Sequence, residues 1–318
     1  MATTPVQPGA PVALPPSVAP AVPERRRRLG WPKNPIRTTI YLSLLLACTA
    51  LFVYPFLWMV SASLKPRPYV FDNKVIPTHW QPANYEYVFK GTPDQPGAVP
   101  FAHWVWNSFY IATLAALTVT VSSALVAWGF AYFRFPLRNL LFGLVLGSMM
   151  LPTAVTMVPV FLVWNHLHLV GTQYPLWMNN LFGSAFYIFL IRQFFLGIPR
   201  SLFEAARIDG DNYFSMFRRI AVPLAWPALI VTFIFEFKAN WMSLQAPLIY
   251  LRSDSQFTIP RGLFAMLGVY GPSAGGHGDY QVIIAAMVLA TLPLIILFFI
   301  GQKYFIEQGG IATQGGKG

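Results

Sequence analysis

The first candidates for chemistry are polar side chains inside an otherwise apolar stretch: Glu236, Lys238, Asn240 and Ser243. On a helix, Glu236, Asn240 and Ser243 share one face at four- and three-residue spacing, while Lys238 turns to the neighbouring face with Met242 and Gln245. Such a set suits the lining of a polar route through a membrane, because lipid penalises a charge by roughly 2.5–3.5 kcal/mol. Trp241 beside them offers a ring face for stacking. An unpaired Glu236 would shift toward its neutral form, so a partner is expected. Lys238 stands off the shared face, which makes a cation on a second chain the better candidate. The bland alternative ends the helix near Phe235 and leaves these groups at the outer headgroup level.

Other chemistries find no footing. A phosphate-binding loop needs G-x-x-x-x-G-K-[ST]. Gly316-Lys317 comes nearest, with Ile311 in place of the first glycine and Gly318 in place of Ser or Thr. His166 and His168 are two apart, diverge on a helix and have no carboxylate or thiol near them in sequence, so they read as interfacial polar groups. The single cysteine, Cys48, lies in an apolar run and excludes a disulfide framework. The expectation is a chain that is not an enzyme and binds no metal or cofactor itself.

The elements that must position Glu236 and its neighbours are membrane spans. Of 318 residues, 55% are hydrophobic and only 10% charged, too few charges for a soluble protein of this length. Residues 1–36 are rich in Pro, Ala and Val and end in Arg25–Arg28, a disordered tail suited to anionic lipid rather than nucleic acid. The uncharged run 38–64 is too long for a signal peptide and reads as an uncleaved first span. Five further spans are expected at about 104–133, 140–163, 175–191, 221–251 and 280–300. Polar loops join them at 65–103 and 252–279. Gly143 and Gly147 in the third span are spaced for close helix approach.

Six spans put both termini on one side. That side carries 15 of the 22 basic residues, the opposite loops carry six, and Lys238 lies within a span. The positive-inside rule therefore places the termini in the cytoplasm. Residues 37–304 form the span domain, and 305–318 a short C-terminal tail.

The most charged segment, 199–223, joins spans 4 and 5 on the cytoplasmic side. Ser201 and Glu204 have capping-box spacing for a short helix, and Gly210 supplies a left-handed stop. Asp211 or Asn212 can cap a second helix, with Phe214, Phe217 and Ile220 on one face. The result is an elbow on the membrane surface, small and flat at Ala205-Ala206.

Glu204-Ala205-Ala206, then Asp209-Gly210, Ile220 and Pro223, resemble the EAA loop of the permease subunits of ATP-binding cassette importers. Ser63-Leu64-Lys65-Pro66, Asn107-Ser108 and the closing Gly-Gly-Lys-Gly resemble landmarks of the same family, and Asn84-Tyr85 stands in the middle of the loop 65–103. The likeness is to the second permease of maltose-type systems. Trp241 and Pro247-Leu248 also match a Trp-Asn…Pro-Leu pattern, with Met242 in place of the Asn.

The resemblance implies an all-α, polytopic chain of six spans with a cytoplasmic coupling helix between spans 4 and 5. Glu204, Ala205, Ala206, Asp209, Gly210, Ile220 and Pro223 would dock an ATPase. Glu236, Asn240, Trp241 and Ser243 would line the route of a sugar or oligosaccharide. Implied partners are a second, homologous permease, two ATP-binding subunits that use ATP and Mg, and an extracytoplasmic substrate-binding protein. The implied location is the plasma membrane of a prokaryote. Two competing readings are a stand-alone secondary transporter using Glu236 and Lys238, and a family member that carries a polyol or sugar phosphate.

Overall fold

The computed structural model describes residues 35–96, 99–271 and 278–311. The basic tail up to residue 34, Gly275-Gly276-His277 and residues 312–318 lie outside the described residues. The chain divides into two units, 1–54 and 55–318. In the first, residues 35–54 begin helix α1 (Pro35–Ser63), with side chains almost all exposed, as an apolar helix in contact with lipid would be.

The second unit carries the remaining elements. They are α2 (Asn84–Lys90), the two-residue strands β1 (Gly91–Thr92) and β2 (Gln95–Pro96), α3 (Phe101–Tyr132), α4 (Arg138–Ser148), α5 (Thr153–His166) and α6 (Tyr174–Met178). After α6 follow α7 (Ala185–Leu196), α8 (Arg200–Ile208), α9 (Tyr213–Met216), α10 (Val222–Leu224), α11 (Trp226–Trp241), α12 (Gln245–Tyr250), α13 (Ile259–Tyr270) and α14 (Tyr280–Ile311). Apart from the antiparallel β1–β2 pair, the regular structure of the described residues is helical.

Three described helices are long and apolar enough to cross a membrane: 35–63, 101–132 and 280–302. Three bent pairs qualify if each counts as one span: α4 with α5 (98°), α7 with α8 (74°), and residues 213–224 with α11 (77°). The third expected span is therefore not straight. Pro152 is the reason, because the residue before a proline is pushed out of the helical region, and α4 stops short of it. The fourth expected span is broken too, by a 3-10 turn at Asn179–Phe182 and by Gly183 at φ +80°. The fifth stops at Trp241 and resumes at Gln245. The last helix runs past Ile300 to Ile311.

The stretch 252–279 holds a helix where a loop was expected. In α13, Ile259, Gly262, Met266 and Tyr270 recur at three- and four-residue spacing and are buried, and Pro260 occupies the first turn, where its missing N–H costs nothing. Gly262 is required there, since a Cβ would stand 2.2 Å from the Trp104 ring.

Helix α3 is the axis of the second unit. Its buried stripe runs from Trp104 through Ile111, Ala115, Val119, Ser123 and Ala127 to Ala131, and its many alanines let α7 and α11 approach closely. Two apolar clusters form along it. One gathers Phe101, Trp104, Phe237, Trp241 and Tyr270; the other gathers Trp128, Ile191, Phe203 and Met216. Between them lie polar residues of α3 and α11, including Ser122, Ser123, Thr232 and Glu236.

Candidate functional site: an elbow and a polar layer

The elbow 199–223 packs on the end of α3. Phe203 sets its ring 5.2 Å from Trp128 and 5.4 Å from Tyr132, and Tyr213 sits 5.1 Å from Phe133. A cleft of about 390 Å³ remains there, lined by Trp128, Arg134, Arg200, Glu204, Arg207 and Tyr213 among others.

The expected capping box is not formed. Pro199 takes the N-cap position with extended backbone, so Ser201 and Glu204 already lie inside α8, exposed, with no side-chain cap. The stop is as expected. Gly210 has φ +85°, its N–H bonds to Arg207 O (3.1 Å), and the Asp211 N–H bonds to Ala206 O (2.9 Å). That pair of bonds is a Schellman motif, which satisfies carbonyls the helix end would otherwise leave open.

Asn212 caps α9, accepting from Ser215 N at 2.8 Å. Asp211 accepts the Ser215 hydroxyl at 2.9 Å and lies 3.7 Å from Arg219. Phe214, expected inside, is exposed, and Met216 is buried in its place. One turn of α9 followed by a wider π turn at 217–221 shifts the inward face.

The two alanines of α8 part company. Ala206 joins Phe203 in the inner cluster, whereas Ala205 is exposed between Leu202 and Ile208. Ile208 is 87% exposed, so α8 offers an apolar strip at three-residue spacing that no described part of this chain covers. Glu204, Asp209 and Pro223 are also exposed, and Ile220 is half-buried.

The second constellation is the polar layer. Glu236 on α11 accepts Asn180 Nδ2 at 2.8 Å and Asn240 Nδ2 at 2.7 Å, and the Tyr187 hydroxyl stands near the same carboxylate. Asn180 also reaches Ala115 O (3.4 Å), and its own carbonyl accepts the Ser122 hydroxyl (3.2 Å). Ser123 Oγ accepts the Ser184 N–H (3.1 Å), and Asn179 Oδ1 accepts Trp164 Nε1 (3.0 Å). The break in the fourth span is thus tied to α3, α5 and α11 through side chains.

Three expectations change here. Glu236 finds its partners within the chain, as the neutral amides of Asn240 on α11 and Asn180 in the 3-10 turn, and Lys238 is exposed on another face. Trp241 is buried, stacked on Phe237 at 5.7 Å and donating to Ala290 O at 3.2 Å, because its face of α11 packs on α14. Ser243 lies beyond the end of α11, in the turn before α12. Glu236 and Asn240 remain together and half-buried.

Asn180 and Tyr187 were missed as candidates. The readable signal was a pair of adjacent amides, Asn179-Asn180, inside a run with no charged residue from 139 to 191.

The landmark residues also meet. Asn84 Nδ2 donates to Ser63 O (2.8 Å) and Lys65 O (2.9 Å), and Ser63 Oγ pairs with the Tyr85 hydroxyl (2.7 Å). Lys65 is buried, ion-paired with Asp72 and bonded to Lys74 O (2.6 Å). That bond from Lys65 holds the Asp72 carboxyl below the usual carboxylate value. Asn107 Nδ2 donates to Ser255 O (2.8 Å) and Phe257 O (3.0 Å), and Ser108 Oγ accepts from Ile259 N (2.7 Å). The start of α3 therefore holds the segment before α13, at the opposite end of that helix from the elbow.

Residues 120–307, which include both constellations, match the family described as "binding-protein-dependent transport system inner membrane component". The chain belongs to this family. It is a permease of the ATP-binding cassette importer type, a multi-pass membrane protein and a transport component.

The permease is 34% identical over 272 residues to the arabinooligosaccharides transport system permease protein AraQ of Bacillus subtilis (strain 168), covering 84% of this chain and 92% of the relative. It is 31% identical to the lactose transport system permease protein LacG of Rhizobium radiobacter, covering 83% and 92%. Its fold matches a chain in the crystal structure of a bacterial ABC transporter involved in the import of the acidic polysaccharide alginate. The TM-score is 0.68 at 23% identity, over 85% of this chain and 96% of that one. Gly143 and Gly147 of the permease have open space where a Cβ would stand, so no described part of the chain packs on them.

Proposed function

We propose that this permease forms half of the route for a sugar or oligosaccharide and couples to an ATPase through α8. The exposed strip Leu202–Ala205–Ile208 carries the reading. It is apolar, it is anchored from below by Phe203 and Ala206, and it is stopped by a left-handed glycine. A short rigid helix with an uncovered small-residue face fits a groove on another protein. Glu204, Ala205, Asp209, Gly210 and Pro223 present the docking surface, while Ala206 and Ile220 act from the inner side.

Each protomer contributes six spans if every bent pair counts as one, with both termini and the elbow in the cytoplasm. A second, homologous permease completes the route. Two ATP-binding subunits, using ATP and Mg, hydrolyse nucleotide, and an extracytoplasmic binding protein delivers substrate at the α2–α3 and α12–α14 end. ATP closes the ATPase pair, draws the elbows together and shifts the spans between two arrangements.

Glu236, Asn240 and Asn180 supply polar groups to the route. Glu236 is bonded to the amides of Asn180 and Asn240 while Lys238 is exposed on another face, which disfavours a stand-alone ion relay. Trp241 supports the packing of α11 on α14, and Ser243 stands at the route's end. Carbohydrate as cargo rests on the relatives named above, and a polyol or sugar phosphate is the alternative.

The test uses Ala205→Trp in the complex co-expressed with the neighbouring ATPase. The expected result is normal insertion with at least ten-fold less co-purified ATPase and loss of sugar uptake. Unchanged ATPase recovery would reject α8 as the docking element. Asn240→Ala should alter uptake or its sugar preference without changing ATPase recovery.

A further inference from the structure

The turn between α3 and α4 gathers cations that the transport reading does not use. Arg134 is exposed there, and Arg138 opens α4 with Nη1 on Phe133 O at 3.3 Å. Arg192 of α7 places its guanidinium 4.2 Å from the centroid of the Phe142 ring, one turn along α4 from Arg138. Its Nε reaches Phe130 O at 3.4 Å. Among the described residues, no carboxylate pairs with any of these three arginines.

Three guanidiniums beside one another without an acid repel, and such a cluster persists where an anion compensates it. A hollow of about 430 Å³ opens at the turn, lined by Arg134, Phe135, Leu137, Arg138, Asn139 and Leu140. Leu137, held at φ +60°, is 67% exposed at its edge. The wall that continues along α4 is apolar and open. Leu140 and Leu144 are exposed one turn apart, and Gly143 leaves a shallow track beside them with nothing within 4 Å of its Cβ position.

We propose that this turn binds an anionic phospholipid, with Arg134 and Arg138 on the headgroup phosphate and an acyl chain along Leu140, Gly143 and Leu144. Charge complementarity selects the headgroup, and the leucine wall beside it selects lipid over a soluble anion. A partner polypeptide would leave the guanidiniums without an anion unless it brought its own carboxylates. Arg192 backs the site by steadying Phe142 and adding positive field.

The experiment is native mass spectrometry of the full chain and of its complex in detergent, titrated with palmitoyl-oleoyl phosphatidylglycerol or the matching phosphatidylcholine. Phosphatidylglycerol should bind at least ten-fold more tightly than phosphatidylcholine. Arg134→Gln with Arg138→Gln should weaken it about twenty-five-fold, from about five-fold for each arginine near a membrane surface. The Lys/Lys variant should keep most of the affinity. Lys74→Gln with Arg252→Gln, which removes equal charge at the opposite end of α3, should leave it unchanged.

Parent-like binding by the Gln/Gln variant, or equal loss in the Lys74/Arg252 control, overturns the site. Displacement of the lipid by millimolar inorganic phosphate would make it a free-anion site and overturn the lipid assignment. Loss of the bound lipid on assembly of the complex would assign the surface to a partner protein instead. If the Gln/Gln variant does not elute as one species, Arg134→Gln alone carries the test, because that side chain is exposed and its expected loss is about five-fold.

Discussion

The two ends of α3 are held in different ways. At the α13 end, polar side chains clamp backbone groups: Trp104 on Asp254 O, Asn107 on Ser255 O and Phe257 O, Ser108 on the Ile259 N–H. At the elbow end, rings hold rings, with Trp128 beside Tyr132, Phe195, Phe203 and Phe217 at 4.5–6.0 Å. Hydrogen bonds weaken steeply with angle and fix one register. Ring contacts are shallow and tolerate small slides. The first end suits a rigid frame for the loops around it, and the second suits the element proposed to move with a partner.

The largest test of this contrast is Trp128→Ala. Removing that ring should cost about 3–5 kcal/mol, read as a lowered unfolding midpoint of the purified chain. Trp128→Phe should cost less than about 1.5 kcal/mol, because the contact is not directional. If the phenylalanine variant is as damaged as the alanine one, the elbow end is as register-bound as the other.

Next comes Asn107→Leu. Similar in size but without donors, it leaves two carbonyls unpaired and should cost about 2–4 kcal/mol. Hydrogen exchange should show the loosening confined to 253–260, with the elbow unchanged. Exchange that spreads to α8 would mean the two ends are one cooperative unit.

Gly210→Ala is smaller in energy, about 1 kcal/mol, since the site has open space and only the backbone conformation is strained. Its expected effect on uptake is nevertheless large, with insertion preserved, because the strain falls on the element proposed to transmit motion. Uptake equal to the parent would remove the stop at Gly210 from the coupling argument.

The smallest expected effect is a pH response near the α13 end. The Asp72 carboxyl is held below its usual value by Lys65, so the charged form is favoured in the fold. That contribution is complete above the ordinary aspartate range, near pH 4, and is lost as pH falls through the lowered value. Pepsin cleavage between 66 and 82 should rise as pH drops from 5 to 2 in the parent. Measured relative to the cleavage of an unfolded reference peptide at each pH, the rate in Asp72→Asn should be raised throughout and flat.

Much of the architecture was legible because membrane helices announce themselves by run length. The first span, α3 and the start of α14 fall within a few residues of the expected limits, and so do the Gly210 stop and the Asn212 cap, which rest on local backbone chemistry. The capping box failed on a local competitor, since Pro199 held the N-cap position two residues ahead of Ser201, which was expected to take it. Helix α13 was hidden by the glycines and prolines around it.

What the sequence determined by itself was the family, the apolar runs and their ends, because each depends on residues close in the chain. What only the tertiary structure decided was which side of each helix is inside. An apolar run bound for a membrane is apolar on every face, so it carries little periodic signal to tell a lipid-facing side from a packed one. Trp241 could not be assigned to packing against Ala290 for that reason, nor Glu236 to the amides of Asn180 and Asn240. The partners of Asn107 lie about 150 residues away, and no local spacing encodes a contact of that separation.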